Sequence, residues 1–90
     1  MSRENDQLLA LLIIIHDYGQ ETGSPISIHE AQKRLSLRLV CSMGSANRIY
    51  DLARARGLVE GHQEGSYGSR LWLSAKGIGF LLASRNRSSQ

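Results

Sequence analysis

Histidine and cysteine are the side chains in this sequence best suited to metal binding or nucleophilic catalysis. The chain has three histidines, His16, His29 and His62, and one cysteine, Cys41. Their separations match no metal-ligand spacing, and a single cysteine cannot form an internal disulfide. The sequence also contains no Gly-x-Ser-x-Gly element, phosphate-binding glycine loop or paired-carboxylate site. We therefore predict no catalytic residue, no metal site and no cofactor, and a protein that is not an enzyme.

Three other polar residues could recognise base edges of a nucleic acid. Arg48 can donate to guanine O6 and N7, and Asn47 can pair with adenine N6 and N7. Asp51 can accept from a cytosine amino group, although an ion pair with Arg54 is the favoured interpretation. These side chains recur on one side of a single helical segment, so the segment predicts a recognition surface.

The charge distribution points to a polyanionic partner. Residues 1–32 carry one basic residue against five acids, whereas residues 33–90 carry ten basic residues against three acids. The formal net charge is +3. A localised basic surface favours nucleic acid over a membrane or an acidic protein as the partner.

The length and hydropathy pattern bound the class of protein. A chain of 90 residues supports one core, so we expect a single domain over residues 1–84. The longest apolar run, Leu8 to Ile15, is too short to cross a bilayer and is preceded by acids, which argues against a signal peptide. A soluble cytoplasmic protein is predicted.

The first half of the chain predicts two helices joined by a short extended segment. Asp6 is expected to cap a first helix that runs from Gln7 to about Tyr18 and ends at Gly19. After a turn-rich loop, residues 26–28 form the extended segment. Within it Ser27 begins the capping box Ser-x-x-Glu of a second helix, which extends to about Val40.

The second half predicts a helix, a hairpin and a last helix. Ser42 or Ser45 caps a third helix over residues 43–56, which ends at Gly57. One strand is expected to begin at Leu58 and a second to span residues 70–74, and the polar loop 61–69 connects them. Ser74 caps a final helix from Ala75 to about Ser84, with Ile78, Leu81 and Leu82 inward, and residues 85–90 form a basic disordered tail.

The order α-β-α-α-β-β-α is that of an α+β winged helix-turn-helix domain. In this arrangement the third helix enters a DNA major groove, and the hairpin tip (the wing, residues 61–70) lies over the neighbouring backbone or minor groove. Glycines in the segment GSYGS (65–69) permit a close approach to DNA. The predicted DNA-contacting residues are Ser42, Ser45, Asn47, Arg48 and Asp51 of the third helix, Ser66, Tyr67, Ser69 and Arg70 of the wing, and the flanking Lys33, Arg34 and Arg38.

Two segments resemble a known family of regulators. NRIYDLARARGLVE (47–60) and GSRLWLSAKGIGFL (68–81) are similar to the recognition helix, strand and wing of the MarR-type (multiple-antibiotic-resistance regulator) winged-helix proteins. The matching positions are Ser45, Asn47, Arg48, Ala53, residues 57–59, Arg70 and residues 73–77. The resemblance covers about residues 26–82 and implies a minimal DNA-binding domain without the long dimerisation helices of that family. The segment from Leu35 to Arg48 is about one helical turn longer than in the family.

Several functions remain open at this point. A sequence-specific double-stranded DNA-binding protein, acting as a small transcriptional regulator, is favoured. Alternatives are an accessory factor of a mobile element, for excision or partition, and a winged-helix module that binds protein. The apolar circumference of the first helix and the apolar surplus of the last favour a homodimer joined through these helices, with Leu12 facing outward. The alternative is that the first helix lies centrally in a tight core and the last helix folds over it. The target sequence and any small-molecule effector are left undetermined.

Overall fold

The computed structural model describes residues 3–63 and 69–88, with the backbone alone for residues 62–63, 69 and 85–88. Its elements are α1 (Arg3–Thr22), β1 (Ile26–Ser27), α2 (Ile28–Leu39), α3 (Met43–Ala55), β2 (Val59–Gln63), β3 (Ser69–Leu73) and α4 (Ala75–Ser88). The predicted α+β class and element order are confirmed. None of the described helices is long and apolar enough to cross a lipid bilayer.

The three strands form one antiparallel sheet in which β3 lies between β1 and β2. Leu71 of β3 pairs with Ile26 of β1 on one side and with Gly61 of β2 on the other. Because side chains alternate along a strand, Leu71 is buried in the core while Trp72 faces outward.

Helix α1 is the centre of the core and contacts every other helix as well as β1 and β3. The fully buried large side chains are Leu8, Leu11, Leu12, Ile26, Leu35 and Leu71. The expectation that Leu12 faces outward is therefore wrong. One domain covers most of the apolar circumference of α1 because elements pack on it from several directions.

Both ends of α1 differ from the prediction. The helix begins at Arg3, so Asp6 lies in its first turn rather than at the cap. It continues through Gly19 and ends at Thr22, followed by Gly23 with a φ of 69°. The Gly23 N–H donates to the Gly19 carbonyl oxygen at 2.9 Å, which closes the last turn. A glycine inside a helix costs only about 1 kcal/mol, so packing outweighs it here.

Helix α2 has the predicted cap, Ser27. Its first helical residue is Ile28, which was expected to be extended. The Ser27 hydroxyl accepts from the Glu30 N–H at 3.1 Å. The Glu30 carboxylate accepts from Arg34 at 2.9 Å. At the other end Val40 adopts a left-handed conformation, with a φ of 52°. Its N–H and that of Cys41 both donate to the Ser36 carbonyl oxygen.

Helix α4 is longer than predicted and buries fewer of its apolar side chains. Its backbone continues past Ser84 to Ser88, so the first four residues of the predicted disordered tail are helical. Leu81 is buried, whereas Ile78 and Leu82 are about half exposed, contrary to prediction. Only a narrow stripe of α4 therefore faces the core.

A single serine connects the start of α4 to the end of α3. The Ser74 hydroxyl accepts from the Gly77 N–H at 3.0 Å, as predicted for a cap, and donates to the Gly57 carbonyl oxygen at 2.6 Å. Helix and turn approach so closely that a Cβ on Gly77 would lie 2.0 Å from the Leu58 carbonyl oxygen. This contact fixes α4 against the turn that leads into β2.

Candidate nucleic-acid interface

The N-terminus of α3 is defined by one serine. Ser42 has an extended backbone, and its hydroxyl accepts from the Ser45 N–H at 3.1 Å. Of the two caps that the sequence allowed, Ser42 is therefore the one used, while Ser45 lies in the first turn. Only residues 40–42 separate α2 from α3. The first-turn N–H groups of α3 give this end a partial positive charge.

The two faces of α3 differ in burial. Its inner face consists of the buried side chains Ala46, Ile49, Tyr50 and Ala53. Opposite these, at intervals of three and four residues, lie the exposed residues Gly44, Arg48, Asp51 and Ala55, here called the outward stripe. Arg48 is the only basic residue of this stripe, and it is exposed to solvent.

Asn47 lies beside the outward stripe, on the flank that faces α2. The Gln32 side chain of α2 donates from Nε2 to Asn47 Oδ1 at 2.7 Å. This contact leaves the two Asn47 N–H groups and one lone pair of Oδ1 available. Gln32 is absent from the predicted site, since no local spacing connects residues fifteen positions apart in different helices.

The predicted ion pair between Asp51 and Arg54 does not form. Arg54 Nη1 instead donates to the Tyr50 hydroxyl at 3.0 Å, and the guanidinium lies 6.0 Å from the centre of the Tyr50 ring. A Cβ on Gly61 would lie 3.0 Å from the same Nη1, so this glycine leaves room for Arg54 beside β2. Among the described residues Asp51 has no ion-pair partner, and its oxygens can accept from a base amino group.

The N-terminus of α1 borders the opposite flank of α3. Arg48 and Ser45 line a shallow groove of about 410 Å³ together with Glu4 and Gln7 of α1. Glu4 accepts from Arg56, which occupies the C-cap of α3. Arg56 is thereby neutralised, whereas no ion pair engages Arg48 within the described part of the chain.

The three basic residues predicted on α2 have different surroundings. Arg34 donates to Glu30 and lies over the Tyr18 ring of α1, 5.1 Å from its centre. The hydrogen bond from Arg34 lowers the pKa of Glu30 below its ordinary value. Arg34 is thus held toward α1, on the flank of α2 away from Gln32. Lys33 and Arg38 are exposed.

The hairpin strands position Arg70 in the middle of the sheet. Arg70 is half-buried in β3, between Ser27 of β1 and His62 of β2. By alternation it shares the outer face with Trp72, whose indole N–H donates to Glu60 of β2 at 2.9 Å. This cross-strand hydrogen bond was not predicted from the sequence.

The other predicted wing residues lie outside the described part of the chain or at its boundary. Ser66 and Tyr67 are outside the described residues, and for Ser69 the structure gives the backbone as the first residue of β3. The strands extend further into the predicted loop than expected, to Gln63 and from Ser69. Within the described ranges, no group of three or more His, Cys, Asp or Glu side chains could hold a metal ion.

Comparison with known proteins adds information at the level of the fold. No family model and no curated protein matches the sequence. SSV1 F-93 is 18% identical, with a TM-score of 0.60 over 99% of this chain and 93% of its own. A proposed DNA-binding protein from Ralstonia eutropha JMP134 is 19% identical, with a TM-score of 0.60 over 87% of this chain and 93% of its own.

The transcriptional regulator SlyA is 14% identical to this chain, with a TM-score of 0.65. The match covers 92% of this chain but only 53% of SlyA. Identities this low carry information about backbone architecture and not about ligands. The three structural matches, together with the element order and the sheet, establish that this chain has the winged-helix fold.

Proposed function

We propose that this protein binds double-stranded DNA in a sequence-specific manner and acts as a small transcriptional regulator. The observation that carries the proposal is the outward stripe of α3, where Arg48 is exposed and free of ion pairs within the described structure. An α-helix fits into the major groove of B-DNA, and a guanidinium there can donate two hydrogen bonds to guanine. Residues 43–56 enter the groove, and residues 61–70 contact backbone or minor groove.

The surroundings of α3 support this arrangement. At the positive N-terminal end of α3 the Ser42 hydroxyl donates to the Ser45 hydroxyl at 3.1 Å, so Ser45 is the one of the two that can donate to a phosphate on one side of the groove while this bond is kept. Lys33 and Arg38 are exposed on α2 and supply further backbone contacts. Arg34 is partly neutralised by Glu30 and contributes less. Ser66, Tyr67, Ser69 and Arg70 contact the DNA beyond the groove.

More specifically, we propose that the protein is a regulator resembling the MarR type. It is supported by the sequence pattern over residues 26–82 and by the likeness of the fold to the transcriptional regulator SlyA. We also propose a homodimer, because Ile78 and Leu82 expose one apolar face of α4. Two recognition helices about 34 Å apart would suit a palindromic site.

A salt titration of DNA binding tests the proposal. Arg70→Ala should weaken binding to all sequences alike and reduce the slope of log affinity against log salt by about one unit, since one phosphate contact is lost. The experiment is a mobility-shift titration of both proteins on one duplex across salt concentrations. An unchanged slope in Arg70→Ala would show that Arg70 does not contact a DNA phosphate.

Protein binding is the second candidate function. Leu37 and Val40, on the outer side of α2 and in the turn before α3, are 72% and 90% exposed. Exposed apolar side chains of this size mark protein contacts when they are contiguous. Absence of any DNA complex even at low salt would favour this function, whereas a salt-dependent complex favours DNA.

A further inference from the structure

The hydrogen bond between Gln32 and Asn47 joins the two helices of the helix-turn-helix at the border of the outward stripe. Gln32 Nε2 donates to Asn47 Oδ1 at 2.7 Å, and the Asn47 side chain is otherwise exposed. An asparagine amide free in solvent can rotate and exchange the positions of its oxygen and nitrogen. In this structure the Gln32 amide is the donor, and the hydrogen bond holds the orientation in which Asn47 Oδ1 faces Gln32.

That orientation leaves a defined set of hydrogen-bonding groups on Asn47. Its carbonyl oxygen retains one free lone pair, and its nitrogen retains two N–H donors. Adenine presents the complementary pair in the major groove, an N6 amino donor beside the N7 acceptor. Guanine, by contrast, presents two acceptors and leaves the second lone pair of Asn47 Oδ1 without a donor.

We propose that Gln32 is a positioning residue that fixes the Asn47 amide for recognition of an adenine. The inference rests on the proposed function, because it requires α3 in the major groove. It adds to that function the base that one position of the site prefers and a residue outside α3 that determines this preference.

A purely structural role for Gln32 would have a different consequence. Helices α2 and α3 are already held by buried apolar side chains, among them Ala31, Leu35 and Ala46. The Gln32–Asn47 contact is exposed and adds little to this packing. Loss of packing would weaken binding to every duplex equally, whereas loss of orientation changes the ratio of affinities between duplexes.

The experiment compares replacements that separate donation from acceptance. Gln32→Lys can only donate to Asn47 Oδ1, whereas Gln32→Glu can only accept from the Asn47 nitrogen and so turns the amide over. Selection from randomised duplexes identifies the base pair whose preference disappears in Asn47→Ala. Affinities are then measured for two duplexes that differ only there, adenine against guanine. The ratio is insensitive to the charge that each variant adds.

We expect wild type to prefer adenine by about tenfold, the discrimination typical of one bidentate base contact. Gln32→Lys should keep most of this ratio, and Gln32→Glu should reduce it to about twofold or less. In an Asn47→Ala background neither replacement should change the ratio.

Three results would overturn the inference. They are equal ratios for Gln32→Lys and Gln32→Glu, a base other than adenine at the Asn47-dependent position, and an unaltered ratio in Gln32→Glu. Each of these results is compatible with DNA binding as proposed above. Failure of wild type to enrich any duplex would instead reject the proposed function, and the inference with it.

Discussion

Arg48 carries the only positive charge of the outward stripe, and it shares that stripe with an acid, Asp51, one turn away. In the proposed complex with DNA, an acid at this place opposes non-specific attraction to phosphates, so affinity would come from contacts that satisfy particular base edges. The combination favours selectivity over tight general binding. A guanidinium pairing with guanine is the contact that would supply it.

Replacing Arg48 tests this role directly. Arg48→Ala should lower affinity for a selected site by about 1–3 kcal/mol and affect unrelated duplexes much less. Lys76→Ala, at an exposed position of α4, removes the same charge and should preserve the difference between the two classes of duplex. Fluorescence anisotropy titrations on both duplexes measure the effect. Equal losses on both would mean that Arg48 contacts phosphate alone.

At the scale of the elements, the turn between α2 and α3 contains a strained residue. Val40 occupies the position after α2 that usually belongs to glycine, with a left-handed backbone and a side chain 90% exposed. A side chain branched at Cβ is disfavoured there, and exposure gives it little compensating burial.

Val40→Gly should therefore stabilise the protein, by about 0.5–1 kcal/mol after the greater freedom of glycine in the unfolded chain is subtracted. Val40→Ala serves as the control, because it keeps a Cβ and should recover little of this gain. Chemical denaturation of the three proteins gives the comparison. A destabilised Val40→Gly would contradict the left-handed assignment.

Two glycines of α4 make a matched pair for testing its packing. A Cβ at Gly77 would collide with the Leu58 carbonyl oxygen, whereas a Cβ at Gly79 meets nothing within 4 Å. Gly77→Ala should destabilise the fold by about 1–3 kcal/mol, because the helix must move away. Gly79→Ala should stabilise it by about 0.5–1 kcal/mol, since alanine favours the helix. Thermal unfolding distinguishes them, and similar shifts would refute the close contact.

Much of each element could be predicted because its signals are local. Ser27, Ser42, Ser74 and Gly57 mark helix ends through hydrogen bonds that span only a few residues. Alternation along β3 and the inner face of α3 are equally local. The end of α1 was missed because Gly19 is tolerated inside a well-packed helix.

Features that depend on tertiary contacts could not be predicted in this way. The Gln32–Asn47 and Trp72–Glu60 hydrogen bonds join residues of separate elements. The preference of Arg54 for Tyr50 over Asp51 depends on where the tyrosine hydroxyl emerges from the core. Burial of Leu12 required knowing how many elements surround α1.

At the scale of the whole molecule, one patch of apolar surface that the core leaves uncovered is on α4. Ile78 and Leu82 are one turn apart and exposed, so a second copy packing along α4 would bury both. Among the aliphatic side chains of helix α1, only Leu9 and Ile13 are partly rather than fully buried, so α1 offers little apolar surface to a second copy.

Leu82→Glu should therefore yield a folded monomer of 10.0 kDa with weakened binding to a palindromic duplex. Leu37→Glu introduces the same charge on α2 and should leave the dimer intact, while Leu12→Glu should unfold the chain because Leu12 is in the core. Sedimentation equilibrium at micromolar concentration measures the mass. A wild type that is monomeric throughout would exclude the dimer.

The contact among Gly57, Ser74 and Gly77 has a consequence for the ancestry of this protein. Contacts within the fold restrict these positions: a positive φ of 70° at Gly57, a hydroxyl with two hydrogen-bond partners at Ser74, and no room for a Cβ at Gly77. Residues that face a partner are free to change whenever the partner changes. Descendants of a common ancestor should therefore retain a glycine before β2 and the Ser-x2-Gly that begins α4, long after the outward stripe has diverged and whatever the length of the hairpin loop between them. These three positions are the inherited mark by which distant kin of this chain can be recognised.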